Sequence, residues 1–138
     1  MNAQLISVED DETGTALMLI GGVEIAAMSC LWYGSACVAC PTLGELFNPT
    51  FSCLFDESDH ADWASVFAGN PAQEMRLHRT GLWSYRALGR IVAIEGPEHA
   101  ALADCGGCLI PLPVTLYDPC CIGVYVGFNI QRLSVSIA

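Results

Sequence analysis

Apolar and polar residues alternate with a period of two from Arg132 to Ile137. Leu133, Val135 and Ile137 fall on one side and Arg132, Ser134 and Ser136 on the other, the pattern of a half-buried β-strand. Residues 4–8 and 15–20 read as strands separated by an acidic turn from Glu9 to Gly14, and Val23 to Cys30 reads as a third strand after Gly21-Gly22. Phe51 to Phe55 is a short strand candidate, whereas residues 35–49 are irregular because Pro41, Gly44 and Asn48-Pro49 punctuate them. From Arg76 the chain is strand-like almost throughout. Ser84 to Glu95 forms a long strand interrupted at Gly89, where a bulge or sharp coil is expected. Gly106-Gly107 has the composition of a two-residue hairpin turn. In the strand that follows, Pro111 and Pro113 remove N–H donors from a single side, which marks a sheet edge.

Helical periodicity is confined to one place. Ser58 or Asp59 can cap, Asp59 and Asp62 suit the positive end of the helix dipole, and Trp63, Val66 and Phe67 recur at i, i+3 and i+4 before Gly69 and Asn70-Pro71 end the run. The chain is therefore expected to be mainly β: a single domain over residues 1–138, antiparallel and barrel-like, with one short helix near residues 59–68. The long bent strand, the hairpin and the final strand are OB-like in arrangement, or equally those of a partly open barrel; the likeness is one of architecture alone.

Charge sharpens this picture. Residues 1–75 contain eleven Asp and Glu and no Lys or Arg, whereas residues 76–138 contain five Arg and four carboxylates, so the halves sum to −11 and +1. A net charge of −10 repels phosphate backbones, and Arg76, Arg79, Arg86, Arg90 and Arg132 are too few for a nucleic-acid track. Leu17 to Cys40 is apolar apart from Glu24 and long enough to span a bilayer. Its Gly21, Gly22 and Gly34, its missing basic flank and a central carboxylate costing about 2.5 to 3.5 kcal/mol argue for turning strands instead of a membrane segment. The acidic N-terminal stretch lacks the positive region of a secretory signal, so a cytoplasmic location is expected.

Eight cysteines in a reducing compartment raise metal and redox chemistry beside simple burial. Cys37-x-x-Cys40 and Cys105-x-x-Cys108 are the raw material of a tetrahedral zinc site, since each pair can bring two thiolates to one ion, although the interval between them is far longer than in a compact zinc ribbon. Buried thiols acting as small hydrophobes are the favoured reading. An apolar strand, Trp32 and then Cys37-Val38-Ala39-Cys40-Pro41 resembles, over about 15 residues, the strand, Trp and CxxC of thioredoxin-like proteins. Such a resemblance implies a long helix after the motif, which Gly44 and Asn48-Pro49 cut short. Cys120-Cys121 follows Pro119 and reads as turn and core packing.

Asp56 to Asp62 concentrates four carboxylates and His60 but lacks the alternating ligands and central Gly of a Ca²⁺ loop, so it reads as a solvated helix start. His60, His78 and His99 are too scattered for a triad or a ligand set, and neither a nucleophile elbow nor a phosphate-cradling glycine loop occurs. Catalysis is therefore not expected. Trp83, Tyr85, Arg86 and Arg90 bring together the residue types that dominate contact hot spots, with ordinary core as the competing reading. The expected function is that of a non-catalytic acidic interaction module that self-associates. One alternative is an acidic inhibitor or immunity-type protein covering a basic partner; another is a zinc or thiol-redox protein built on the CxxC pairs.

Overall fold

A computed structural model describes residues 2–8, 14–29, 43–55 and 63–137. Of these, 59 % lie in strands and 7 % in helix, in antiparallel-rich sheets curled into half-barrels, as the period-two patterning requires. The first half of the chain contributes β1 (Ala3–Val8), β2 (Thr15–Ile20), β3 (Val23–Ser29), β4 (Leu46–Phe47) and β5 (Pro49–Leu54). Helix α1 (Trp63–Ala68) follows, then β6 (Arg76–Arg79), β7 (Tyr85–Glu95), β8 (Ala100–Asp104), β9 (Leu109–Thr115), a 3-10 turn at Pro119–Cys121, β10 (Tyr125–Ile130) and β11 (Arg132–Ile137).

One sheet runs in the order β4-β1-β2-β3-β11-β5, and the other in the order β10-β7-β8-β9 with β6 also paired to β7. The two halves of the sequence thus build separate sheets, apart from β11, which returns to the first. Only Gln131 separates β10 from β11, so the backbone passes between sheets at a corner, where the Gln131 N–H donates to Leu54 O at 3.0 Å. Both sheets turn their apolar faces into a shared core. Leu5, Met18, Ile25, Leu133 and Val135 from the first sheet meet Ile91, Ile110, Val126 and Ile130 from the second, all at 2 % exposure or less. Burying each such side chain contributes about 1.5 to 3 kcal/mol. The alternation in β11 places Leu133 and Val135 in this core as expected.

Several local expectations are refined. The pair β3–β11 is parallel, with Ser134 opposite Met28 and Val135 opposite Ser29, in an otherwise antiparallel sheet. The strand β4 falls within the stretch expected to be irregular; it is two residues long and, among the described strands, borders only β1. The irregularity of β7 lies between Ile91 and Ala93, not at Gly89. Gly89 is needed for another reason: a Cβ there would lie 2.7 Å from both the Asp104 carbonyl oxygen and Cys105 Sγ. Gly123, at φ 97°, supplies a second bulge, in which Ile91 O accepts from Gly123 N–H while Ile91 N–H donates to Val124 O. Ser58, Asp59 and the turn 9–13 lie outside the described residues.

The β8–β9 hairpin turns at Gly106-Gly107, whose φ values of 85° and 102° suit the left-handed region that a two-residue turn demands. Cys105 N–H donates to Cys108 O at 2.9 Å, and the Asp104 carboxylate accepts the Gly107 N–H at 2.7 Å. The tip meets the Gly21-Gly22 turn between β2 and β3, with Gly21 close to Gly106 O. The proline-bearing β9 is indeed an edge strand.

Candidate functional site

The segment Trp83 to Tyr85 forms a wedge between the two sheets. Because β3 and β11 pair only at Met28 and Ser29, β3 is left open at Ala26, and β11 is open at Leu133 on its β3 side. The entry to β7 fills both openings. Trp83 O accepts the Leu133 N–H at 2.8 Å, and the Tyr85 hydroxyl accepts the Ala26 N–H at 2.9 Å while donating to Ala26 O at 2.8 Å. The phenol therefore stands in for a missing strand. Trp83 Nε1 donates to Thr15 Oγ1 at 3.0 Å, which fixes the half-buried indole against β2. Tyr85 is 2 % exposed and belongs to the core, so of the two aromatics expected at a contact it offers no surface. Burial raises the phenol pKa, partly opposed by the Ala26 bond and by Arg79.

Strand alternation carries Arg86 and Arg90 to the opposite face of β7, and register adds Arg76 opposite Leu88 and His78 opposite Arg86. Arg86 is half-buried and structural. Its Nη2 donates to Gly69 O at 3.0 Å and its Nη1 to Asn129 Oδ1 at 3.2 Å, tying the C-terminal end of α1 to β10. Beside this tie Gly69 and Gly127 meet backbone to backbone, with no room for a Cβ on either. Arg90 is exposed and donates from Nε to Gly123 O at 3.3 Å. Arg79 donates to Gly81 O and Leu82 O, and Arg76 pairs with Glu74 at 3.3 Å. That is the one ion pair any arginine makes among the described residues. Arg132, by contrast, carries a buried Nε–H without an acceptor.

Of the four thiols considered for zinc, Cys37 and Cys40 lie outside the described residues. Cys105 and Cys108 flank the Gly106-Gly107 turn, buried at 3 % and 2 % exposure. Burial pushes the Cys108 thiol up to about 12, with Asp104 adding to the rise. Cys105 is raised further by burial, then by Cys108, Asp104 and Cys53. Cys53, half-buried on β5, is also pushed to about 12 by burial. Its strand approaches β9, which brings a third thiol toward the CxxC turn. Spacing alone could not reveal that neighbour, 52 residues before Cys105. These thiols are protonated at neutral pH, and all three are free, as are exposed Cys120 and half-buried Cys121. Among the described residues no group of three or more His, Cys, Asp or Glu side chains is arranged to hold a metal ion.

The acidic run 56–62, with His60, lies outside the described residues. His78 is exposed on β6, and His99 stacks at a tilt on Tyr117 with ring centroids 4.7 Å apart. Asn70, 5 % exposed, does more than end the helical run, because it shapes the loop into β6: its Nδ2 donates to Glu74 O and its Oδ1 accepts the Glu74 N–H. Among the described residues no helix is long and apolar enough to cross a membrane. No family model, curated protein or solved structure matches this chain.

Proposed function

We propose that the chain is a non-catalytic interaction module that self-associates, setting the carboxylate-rich half of one copy against the arginine-bearing face of another. The supporting observation is the separation of the arginines from the stretch that holds eleven of the fifteen carboxylates. Strands β1 to β5 come from the stretch without Lys or Arg, and β6 and β7 carry four arginines. Those arginines make a single ion pair within the described residues, Arg76 to Glu74, and Arg76, Arg79 and Arg90 are exposed. An isologous pair brings each acidic half to the partner's arginines twice over.

Sedimentation velocity over a range of protein concentrations tests this reading. A concentration-dependent dimer that weakens in Arg90→Glu and in Arg76→Glu, and weakens again with added salt, is the expected result. Arg90 and Arg76 are chosen because both are exposed, whereas Arg86 holds the fold together. A monomer at every concentration removes self-association and leaves a basic heterologous partner as the contact.

A further inference from the structure

Arg132 is the arginine that the fold leaves unmatched. The side chains of Arg76, Arg79, Arg86 and Arg90 each reach a carboxylate or a carbonyl oxygen, while Arg132 is half-buried with its Nε–H out of solvent and without an acceptor. A buried, unsatisfied donor costs about 1 to 3 kcal/mol, and more when it belongs to a charged group. Such an atom in a native fold asks for a partner.

The surroundings of Arg132 indicate which kind. Alternation in β11 puts Arg132, Ser134 and Ser136 on the face away from the core, and the β5 register sets Ser52 opposite Ser134 and Thr50 opposite Ser136. One guanidinium and four hydroxyls therefore share a two-stranded surface, with Ser134 only 7 % exposed. Neither strand carries an Asp or Glu, in a chain with 15 of them. A carboxylate accepts within a single plane, whereas a tetrahedral phosphate can take the guanidinium fork on one edge and hydroxyls from two strands on oxygens outside that plane.

We infer that the outer face of β5 and β11 binds a phosphate group, with Arg132 supplying the charge-assisted fork and Ser134 and Ser52 the nearest hydroxyls. This assignment is independent of self-association. The phosphate can be free or carried as a monoester, because a tetrahedral phosphate held through three of its oxygens keeps the fourth for an ester bond.

The test is a titration of the full chain with inorganic phosphate, and separately with O-phosphoserine, at constant ionic strength, following the arginine Nε–Hε resonances by NMR. The Arg132 resonance is assigned through its own backbone. Saturable movement of that resonance, with the other arginines still, is the expected result. Affinity should fall about tenfold in Arg132→Lys, which keeps the charge but loses the fork, and several-fold in Ser134→Ala. Binding should also raise the thermal midpoint of the wild-type chain with the logarithm of phosphate concentration above the Kd. A response to inorganic phosphate but not to O-phosphoserine narrows the ligand to free phosphate, and the reverse identifies the monoester. An Arg132 resonance unmoved by both ligands overturns the inference. So does a common drift of all arginine resonances, or acetate acting as strongly as phosphate.

Discussion

The Tyr85 hydroxyl, on the second sheet, holds both backbone polar groups of Ala26, on the first, accepting its N–H at 2.9 Å and donating to its carbonyl at 2.8 Å. One side chain thereby supplies the two bonds that a neighbouring strand would otherwise make. Removing the oxygen in Tyr85→Phe leaves both groups of Ala26 buried without partners, at about 1 to 3 kcal/mol each. Urea unfolding should show a lowered midpoint with an unchanged slope, and amide exchange at Ala26 should quicken. A midpoint equal to that of the wild type would mean that water reaches Ala26.

The contact of Gly69 with Gly127 predicts a second sensitive position. A Cβ on Gly127 would strike the Gly69 carbonyl and approach Arg86 Nη2, and backbone cannot yield as a flexible side chain would. Gly127→Ala should destabilise by about 1 to 3 kcal/mol, the usual range for overpacking. Loss of protection confined to α1 and β10 in hydrogen exchange would locate the strain at that contact; uniform loss throughout both sheets would place it elsewhere.

Alkaline conditions should destabilise the fold through its thiols. An unfolded cysteine ionises near pH 9, whereas Cys53 and Cys108 are pushed to about 12 in the folded chain and Cys105 is raised as well. Above pH 9 the unfolded chain has released protons that the folded chain retains, so unfolding gains from each further rise in pH. The stabilisation is complete below about pH 9 and is lost between there and about pH 12. Urea midpoints measured from about pH 8 to pH 10.5 should fall, and Cys108→Ala should flatten the decline. A wild-type midpoint constant over that range would show that the thiols are hydrated in the fold.

Leu133→Ala tests the face assigned to the final strand. Leu133 is fully buried in the shared core, so its truncation should cost about 2 to 5 kcal/mol. Ser136→Ala, on the opposite face, should change the thermal midpoint little. Equal effects of the two substitutions would mean that β11 is buried alike on both sides.

How far these features were legible depends on the span of sequence each one needs. Leu133 and Val135 could be placed from a six-residue pattern, as could the Gly106-Gly107 turn and the proline-marked edge of β9, because in each case the cause is local. Gly89 misled for a physical reason: it is a glycine demanded by the close approach of Asp104 and Cys105 from β8 and its turn, so the bulge signal belonged to a neighbour three residues on. Tyr85 read as a contact residue because its partner, Ala26, lies 59 residues earlier and offers only backbone, which leaves no mark in side-chain pattern. The parallel pairing of β3 with β11 joins segments more than 100 residues apart, beyond the reach of any periodicity argument. Arg132 looked like one more polar position in an alternating strand. Its distinction lies in being the arginine without an acceptor, a property of the assembled sheet.

The return of β11 to the first sheet also governs the order of events during synthesis. Among the described strands β5 hydrogen-bonds only to β11, so when Leu54 is added to the growing chain its ladder partner, starting at Arg132, is still 78 residues from being made. At about 5 to 20 residues per second that interval lasts about 4 to 16 seconds, and once β5 and β3 have emerged, both edges of β5 and the open side of β3 are available to chaperones or to neighbouring nascent chains. Strands β1 to β4 can pair as soon as they are made, whereas β5 is translated long before it can join them.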